Sequence, residues 1–270
     1  MSTKLAVIGF GNIAKAIITP LLEKKIIKPE EIACLVNTKN SFENIRNFYK
    51  YNIKIFHTGS INQENIWDCP IKLLAVKPQQ LNDIKELICK KDSEDIMVSI
   101  LAGVSIDKLE KKFPNHKCLR AVTNIPIIIG QGLTAISWGK ELNEETKIFI
   151  RTLFENSGKV FELKEEYLDI FLALTSSAPA TLALIVEALG DGGLSGGLTK
   201  KLSEELVIDM IYGTILMLKK SGINTSDLKT MVTSPGGTTI SSLRVLEEKG
   251  LRSALIESIL AARNKSKEFS

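Results

Sequence analysis

The chain has 270 residues, of which 44% are hydrophobic, 24% are charged, 18 are glycine and 8 are proline. These proportions are typical of a globular protein of one large or two modest domains, and they exclude a fibrous, disordered or disulfide-scaffold protein. The net charge of +4 is spread along the sequence without a basic block, so we expect no nucleic-acid partner.

The first half of the sequence alternates between short apolar runs, which are typical of strands, and segments with the period of a helix. This alternation predicts right-handed crossovers and a doubly wound, mostly parallel sheet. The predicted strands are Leu5–Ile8, Ile32–Val36, Ile53–Phe56, Ile71–Val76, Ile96–Leu101 and Cys118–Val122, and the predicted helices include Ala14–Leu22 and Ser41–Tyr49.

The pattern changes after Phe161, and only helix-period segments follow, punctuated by glycine clusters such as Gly190–Gly193. We therefore predict two domains: an α/β domain over residues 1–161 and an all-helical domain over residues 162–270. The predicted helices of the second domain are Tyr167–Leu174, Ala180–Leu189, Leu198–Ser221, Ser226–Met231, Thr239–Lys249 and a last helix that ends near Lys267.

The helices of the second domain are apolar around most of their circumference, as in Leu206–Ile208 and Ile215–Leu218. A bundle of roughly 100 residues cannot hide so much apolar surface inside itself, so we expect at least a homodimer. The most apolar stretch, Ile170–Leu189, approaches the length of a membrane span but contains Pro179 and Glu187. Both residues favour a helix buried in protein, so no membrane partner is expected.

The first apolar run of the sequence is too short for a signal peptide, so the cytoplasm is the expected compartment. The chain has 2 histidines and 4 cysteines, and their spacing is not that of a zinc site. We therefore expect reduced, partly buried thiols and no metal. These residues are His57, His116, Cys34, Cys69, Cys89 and Cys118.

A G-x-G-x-x-A motif directly follows the first predicted strand and opens the first predicted helix. Gly9 suits the tight turn, Gly11 lets the backbone approach a pyrophosphate, and Ala14 is small enough for close packing of helix and strand. The alternative is a merely tight turn between packed elements. The motif predicts dinucleotide binding by Gly9, Phe10, Gly11, Asn12 and Ile13. Residues 1–161 are therefore expected to form a Rossmann-type dinucleotide-binding domain.

The second predicted strand is followed by Asn37, Thr38 and Lys39. In NAD-binding domains an Asp or Glu at this place holds the 2′-hydroxyl of the ribose, and this segment contains no acid. Asn37 and Thr38 can donate hydrogen bonds to a 2′-phosphate, and Lys39 can neutralise it. The residues favour NADPH as cofactor over NADH, unless Lys39 is only a solvated surface lysine.

Two further segments follow strands at the edge where open α/β sheets bind ligands. The first contains Ala75, Val76, Lys77 and Pro78, which we expect to line the cofactor. Lys77 could act as an acid, as an electrostatic anchor or only structurally. In the second segment, Asn124 could hydrogen-bond the carboxamide of the cofactor or cap the turn.

A glycine–threonine loop, Gly236-Gly237-Thr238-Thr239, precedes a predicted helix late in the chain. The two glycines free the backbone so that consecutive N–H groups can point into one concavity, and the threonines add hydroxyl donors. The loop predicts a site for a small anion such as a carboxylate. The alternative is a simple helix cap, which would not need both glycines and both threonines.

With these motifs in place, the sequence resembles the pyrroline-5-carboxylate reductases over nearly its whole length. The stretch from Thr233 to Ile240 is the most specific part of the resemblance, and the glycine motif near the N-terminus is the least specific. The other matching residues are Ala16 and Ile17, Ala75–Gln79, Arg120 with Asn124 and Pro126, Ser177 with Pro179 and Ala180, Glu187–Leu189 with Asp191–Gly193, and Ala261–Arg263 with Ser266.

The sequence also departs from the motifs of that family. Thr123 stands where the family usually has proline, and Ser176 and Ala178 stand where it usually has glycines. Thr199 and Lys200 follow Leu198, where the family often has Leu-Pro-Arg. These departures concern substrate range and rate more than the type of reaction.

The resemblance implies reduction of (S)-1-pyrroline-5-carboxylate to L-proline by NADPH or NADH, the last step of proline biosynthesis. It implies that Gly236, Gly237 and Thr238 hold the carboxylate of this small-molecule substrate, and that the hydroxyl of Thr239 is catalytic at the imine nitrogen. Ser177 and Glu187 are further substrate-binding candidates. It also implies a homodimer, or a larger ring of dimers, in which the helical domain of one subunit completes the site of its partner.

Two other functions stay open. A β-hydroxyacid dehydrogenase of the same two-domain build needs a general base, usually a lysine, and Ala180–Leu189 contains none. A non-catalytic NADP-binding sensor would not need a second site for a smaller anion.

Overall fold

A computed structural model of the chain describes residues 3–60, 66–84 and 95–268. The chain divides into two compact units: Met1–Ser176 together with Ala262–Ser270, and Ser177–Ala261. The division between the units therefore lies later than the change in sequence pattern at residue 161, and the last residues of the chain belong to the first unit.

The first unit contains a sheet of eight strands within the described residues, in the order β3-β2-β1-β4-β5-β6-β7-β8. Neighbouring strands are parallel except β6 and β7, which are antiparallel. The strands are β1 (Leu5–Ile8), β2 (Ile32–Val36), β3 (Lys54–His57), β4 (Ile71–Leu74), β5 (Ile96–Ser99), β6 (Lys117–Thr123), β7 (Gly132–Trp138) and β8 (Gly158–Glu162).

Apolar clusters cover both faces of this sheet. Successive side chains of a strand point to opposite faces, so neighbouring residues of one strand enter different clusters. Leu5 and Val7 of β1 belong to one apolar cluster, and Ala6 and Ile8 belong to another. The expected doubly wound, mostly parallel sheet is confirmed. The helices of this unit are α1 (Asn12–Glu23), α2 (Lys39–Phe48), α3 (Ile106–Lys112), α4 (Glu144–Glu155) and α5 (Leu168–Leu172), and the π-helical turn Ala173–Ser177 follows α5.

The strands β7 and β8 and the helix α4 between them were not predicted from the sequence. Strand β7 reads GLTAISW, in which small and polar residues interrupt the apolar ones. Strand β8 is the last strand of the sheet, and none of its residues is buried. Neither segment has the apolar run that indicates a buried parallel strand.

The second unit is all-helical over its described residues, as expected. It contains α6 (Ala178–Ser195), α7 (Lys200–Ser221), α8 (Thr225–Met231), α9 (Thr238–Glu248) and most of α10 (Leu251–Lys267). The prediction that Gly190–Gly193 interrupt the helices is wrong, because α6 continues through them to Ser195. A Cβ added at Gly193 would lie 2.6 Å from Ser203 Oγ, so this glycine allows α6 and α7 to pack closely.

Much of the apolar surface of α6 and α7 is exposed in the single chain; Leu184 is 64% exposed and Tyr212 is 68% exposed. Within the described residues, one helical run of 31 residues, Glu165–Ser195, is long and apolar enough to cross a membrane by length and composition alone. Only 6% of its most apolar window is buried. The expected burial of this helix in protein is therefore not achieved within one chain.

Candidate functional site

The glycine motif forms a tight loop between β1 and α1. Gly9 has a φ of 89°, and a Cβ there would lie 2.6 Å from the carbonyl oxygen of Ala75. Only glycine fits this position, because both the backbone conformation and the space exclude a side chain. The N–H of Gly9 donates to Leu35 O at 2.8 Å, and the N–H of Ala75 donates to Ile8 O at 2.8 Å. The ends of β1, β2 and β4 are thereby tied together.

Gly11 lies on the open side of the same loop. No atom lies within 4 Å of a Cβ built at Gly11, and α1 begins directly after it without a side-chain cap or an acid in its first turn. The first amides of a helix have no partner within the helix, and the helix dipole is positive there. This loop therefore fits the pyrophosphate of a dinucleotide.

The remaining candidates in the glycine motif differ in exposure. Asn12 is exposed and Ile13 is half-buried. Phe10 is buried, and its ring lies edge-on to the ring of Tyr49 with centroids 5.1 Å apart. Burial raises the pKa of Tyr49 to about 12, so its hydroxyl stays neutral at physiological pH. Phe10 can therefore face a cofactor only with its backbone.

Asn37, Thr38 and Lys39 follow β2 at the same edge of the sheet and are all exposed. The Thr38 hydroxyl caps α2: it accepts the N–H of Ser41 at 3.1 Å and donates to Ser41 Oγ at 2.9 Å. No acid occupies the three positions after the strand or the first turn of α2. A 2′-phosphate would therefore meet hydrogen-bond donors and a cation here, and no carboxylate.

The segment after β4 lies against the glycine loop. Val76 Cγ1 would be 2.8 Å from a Cβ at Gly9, so this segment forms a wall of the loop. Lys77 is exposed, and its backbone N–H donates to Gln80 Oε1 at 3.1 Å. Pro78 begins a short 3-10 turn. Ala75, Val76, Lys77 and Pro78 thus lie where we expect a cofactor-lining segment.

Asn124 is buried at the end of β6, and both the oxygen and the nitrogen of its side-chain amide form hydrogen bonds. Its Oδ1 accepts the N–H of Leu133 at 2.8 Å, and its Nδ2 donates to the carbonyl oxygen of Thr175 at 3.1 Å. Asn124 therefore joins β6, the start of β7 and the π-helical turn. The sequence contained no local signal for this role, since its partners lie 9 and 51 residues away.

The sequence analysis also missed a buried charged cluster in the first unit. Arg120 is 2% exposed and donates from Nη1 to Glu165 Oε1 at 3.0 Å, and the same carboxylate oxygen accepts the N–H of Ile106 at 2.8 Å. Nearby, Ser266 Oγ donates to Asp169 Oδ1 at 2.8 Å. This hydrogen bond joins the end of α10 to α5 and explains why the last residues of the chain belong to the first unit.

In the second unit, the glycine–threonine loop leads into α9. Gly236 has a φ of 68°, and the N–H of Gly237 donates to Ser234 O at 3.1 Å, which closes a turn. Helix α9 begins directly after Gly237 without a side-chain cap and without an acid in its first turn. The amides of Thr238 and Thr239 therefore lie at an uncapped, positive helix end, which suits a carboxylate.

The other two substrate candidates lie directly before α6 and within it. Ser177 is half-buried at the last position of the π-helical turn, and Glu187 is exposed in the middle of α6. Within the described residues, no hydrogen bond joins either side chain to the glycine–threonine loop.

The described thiols are in buried positions. Cys34, Cys69 and Cys118 form no disulfide. Burial raises the pKa of the Cys34 thiol, and it raises that of Cys69 to about 11, so both remain protonated at neutral pH. Cys89 lies outside the described residues. In the part of the chain that the structure describes, no group of three or more His, Cys, Asp or Glu side chains could hold a metal ion.

Known proteins resemble this chain over both units. Residues 165–269 match a family model described as pyrroline-5-carboxylate reductase dimerisation, and residues 4–103 match one described as NADP oxidoreductase, coenzyme F420-dependent. A curated relative from Synechocystis, named pyrroline-5-carboxylate reductase, is 35% identical over 269 residues, which cover 100% of this chain and 99% of the relative.

Two solved structures also match almost the whole chain. The crystal structure of Plasmodium falciparum pyrroline carboxylate reductase with NADP bound has a TM-score of 0.82 and 29% identity, and the match covers 99% of this chain and 98% of that one. A pyrroline-5-carboxylate reductase from Coxiella burnetii has a TM-score of 0.84 and 26% identity, with coverage of 100% and 99%.

Proposed function

The chain belongs to the pyrroline-5-carboxylate reductase family, and we propose that it reduces (S)-1-pyrroline-5-carboxylate to L-proline with NAD(P)H, the last step of proline biosynthesis. The observation that carries the proposal is the 35% identity that extends over the whole chain and thus over both the glycine motif and the glycine–threonine loop. The reaction adds a hydride from the nicotinamide to C5 of the substrate, and a proton to its ring nitrogen.

The first unit supplies the cofactor site in this proposal. The uncapped start of α1 after Gly11 holds the pyrophosphate, and Gly9, Phe10, Asn12 and Ile13 contribute the surrounding backbone. Asn37, Thr38 and Lys39 meet the ribose end, and their exposed donors and positive charge make NADPH the preferred cofactor. Ala75, Val76, Lys77 and Pro78 line the cofactor next to the glycine loop.

The glycine–threonine loop supplies the substrate site. The amides at the start of α9, with Gly236 and Gly237 shaping the turn, hold the carboxylate, and the Thr239 hydroxyl hydrogen-bonds the imine nitrogen. A protonated cyclic imine is already electrophilic, so positioning and charge complementarity supply most of what the reaction needs. Ser177 at the end of the π-helical turn and Glu187 on α6 bind the substrate.

We propose that the active form is a homodimer or a larger ring of dimers in the cytoplasm. The exposed apolar faces of α6 and α7, and the match of residues 165–269 to a dimerisation model, support the assembly. Buried thiols without disulfides suit a reducing compartment. Residues 1–161 are the proposed dinucleotide-binding domain, and residues 162–270 the proposed substrate and dimerisation domain.

The deciding experiment follows NADPH absorbance with three additions to the purified protein: pyrroline-5-carboxylate, a 3-hydroxy acid with NADP, and neither. We expect NADPH consumption with the imine only, and proline as the product. Reduction of NADP by the hydroxy acid would instead identify a β-hydroxyacid dehydrogenase. Tight NADPH binding without turnover of either substrate would identify a sensor.

A further inference from the structure

The helix that enters the second unit begins with an unusual turn. Residues Ala173–Ser177 form a π-helical turn between α5 and α6. Single π turns are rare and are found frequently at functional sites, so the contacts that hold this one are of interest. Within the turn, the Thr175 hydroxyl donates to Phe171 O at 2.7 Å, which satisfies one carbonyl of α5.

Two further hydrogen bonds attach the turn to the end of β6. The Asn124 side chain donates to Thr175 O at 3.1 Å, and Ser176 Oγ donates to Thr123 O at 3.0 Å. Asn124 is itself held, since its Oδ1 accepts the N–H of Leu133 at 2.8 Å. The end of β6 therefore holds two neighbouring residues of the turn, Thr175 through the side chain of Asn124 and Ser176 through its own hydroxyl.

The position of Asn124 leaves it poorly placed for a direct role with the cofactor. It is 6% exposed, and its carbonyl and one of its N–H groups are already bonded to the protein. Removing one partner of such a buried hydrogen bond leaves the other unsatisfied, which costs free energy. This cost would fall on the π turn and on the start of β7.

The contact from Ser176 depends on its hydroxyl. A residue without a hydroxyl at this position could not donate to Thr123 O, so the Ser176 side chain adds a contact between the turn and the sheet.

We propose that Asn124 and Ser176 are positioning residues, which hold the π turn so that Ser177, its last residue, presents its hydroxyl to the substrate. The proposal rests on the function proposed above for Ser177. Asn124 then acts on the imine acid through the turn and does not contact the nicotinamide.

The test compares variants that differ by one hydrogen bond each. Asn124→Asp keeps the acceptor for Leu133 but replaces the donor to Thr175 O with a carboxylate oxygen. Ser176→Ala removes the hydroxyl, and Ser176→Thr retains it. Thr134→Val is the matched control, because Thr134 Oγ1 donates to Thr123 Oγ1 at 3.0 Å in the same region and is not a partner in the hydrogen bonds that hold the turn.

We expect Asn124→Asp to lower kcat/KM for the imine acid by about tenfold or more, because small misplacements are costly in catalysis, while the Kd of NADPH changes less than about twofold. Ser176→Ala should lower kcat/KM by a smaller factor, about threefold, and Ser176→Thr should keep kcat/KM near the wild-type value. Thr134→Val lowers Tm but leaves kcat/KM unchanged. Amide hydrogen exchange at residues 173–177 becomes faster in Asn124→Asp and Ser176→Ala and not in Thr134→Val.

A rise in the Kd of NADPH that accounts for the whole loss in Asn124→Asp would overturn the proposal, because Asn124 would then bind the cofactor directly. Unchanged kcat/KM in both Asn124→Asp and Ser176→Ala would also overturn it. If the wild-type protein does not reduce the imine, the proposed function fails. The exchange measurement then decides the inference alone: faster exchange upholds the link between β6 and the turn, and unchanged exchange overturns it.

Discussion

Among the described helices, α1 and α9 begin differently from five others. Helices α1 and α9 begin after a glycine, have no side-chain cap and have no acid in the first turn. Five others begin after a side chain that accepts an amide N–H of the first turn. These capping residues are Thr38, Ser105, Asn143, Thr199 and Asn224.

The difference matters for the proposed ligand sites. A side-chain cap satisfies an amide that has no partner within the helix, whereas a glycine leaves that amide for something else. The starts of α1 and α9 are the two places where the proposed function needs an anion, the pyrophosphate and the carboxylate. Helices α5 and α6 also lack a side-chain cap, but each of them directly continues a preceding helical turn. The starts of α1 and α9 each have one glycine with close neighbours and one without: a Cβ at Gly9 would meet the backbone of Ala75 and a Cβ at Gly237 would meet Ser234 Oγ, whereas nothing is found within 4 Å of a Cβ at Gly11 or Gly236.

The largest effect is expected from the same substitution at the two glycines before α1. Gly11→Ala places a methyl group in open space and should raise the Kd of NADPH about 100-fold by blocking the pyrophosphate, with Tm nearly unchanged. Gly9→Ala should lower both NADPH binding and Tm, because the Cβ meets Ala75 O at 2.6 Å. Fluorescence titration and thermal melting measure the two quantities. An equal loss of Tm in both variants would contradict the distinction.

At the start of α9, Thr239→Ala should lower kcat/KM for the imine acid about 30-fold, which corresponds to the loss of one hydrogen bond to a charged group. The Kd of NADPH should stay nearly unchanged, because the substitution affects only the proposed substrate site. Thr239→Ser, which keeps the hydroxyl, is the control. Loss of NADPH binding in Thr239→Ala would mean that this loop serves the cofactor.

At the start of α2, the capped helix beside the cofactor site, Lys39→Glu should weaken NADPH binding about tenfold and NADH binding much less, because a carboxylate repels only the 2′-phosphate. Arg46→Glu makes the same charge change in the last turn of that helix and should affect both cofactors little. Equal losses for NADPH and NADH in Lys39→Glu would show that Lys39 does not meet the phosphate.

The smallest effect is expected at an ordinary capped helix. Ser105 Oγ accepts the N–H of Lys108 at 3.2 Å at the start of α3. Ser105→Ala should lower the free energy of unfolding by about 1 kcal/mol, measured by urea unfolding, and leave kcat/KM unchanged. A loss of activity at unchanged stability would show that capped helix starts also serve function.

The parts of this protein that were predictable are those with local causes. Strands β1 and β2 were predicted with their observed bounds, because their residues form short apolar runs between turn residues. The glycine motif was recognisable because strand, turn and helix follow one another directly. By contrast, β7 contains too few apolar residues to stand out, and its place in the sheet depends on antiparallel pairing with β6.

By itself, the amino-acid sequence determined the two-part organisation, the dinucleotide motif, the glycine–threonine loop and the family, because each depends on residues that are close together along the chain. Only the tertiary structure revealed the roles of Asn124 and Arg120, the link from Ser266 to Asp169 and the course of α6 through its glycines. These features depend on partners that are distant in sequence. Their hydrogen bonds form only when folding buries the polar groups together, where leaving them unpaired would cost free energy.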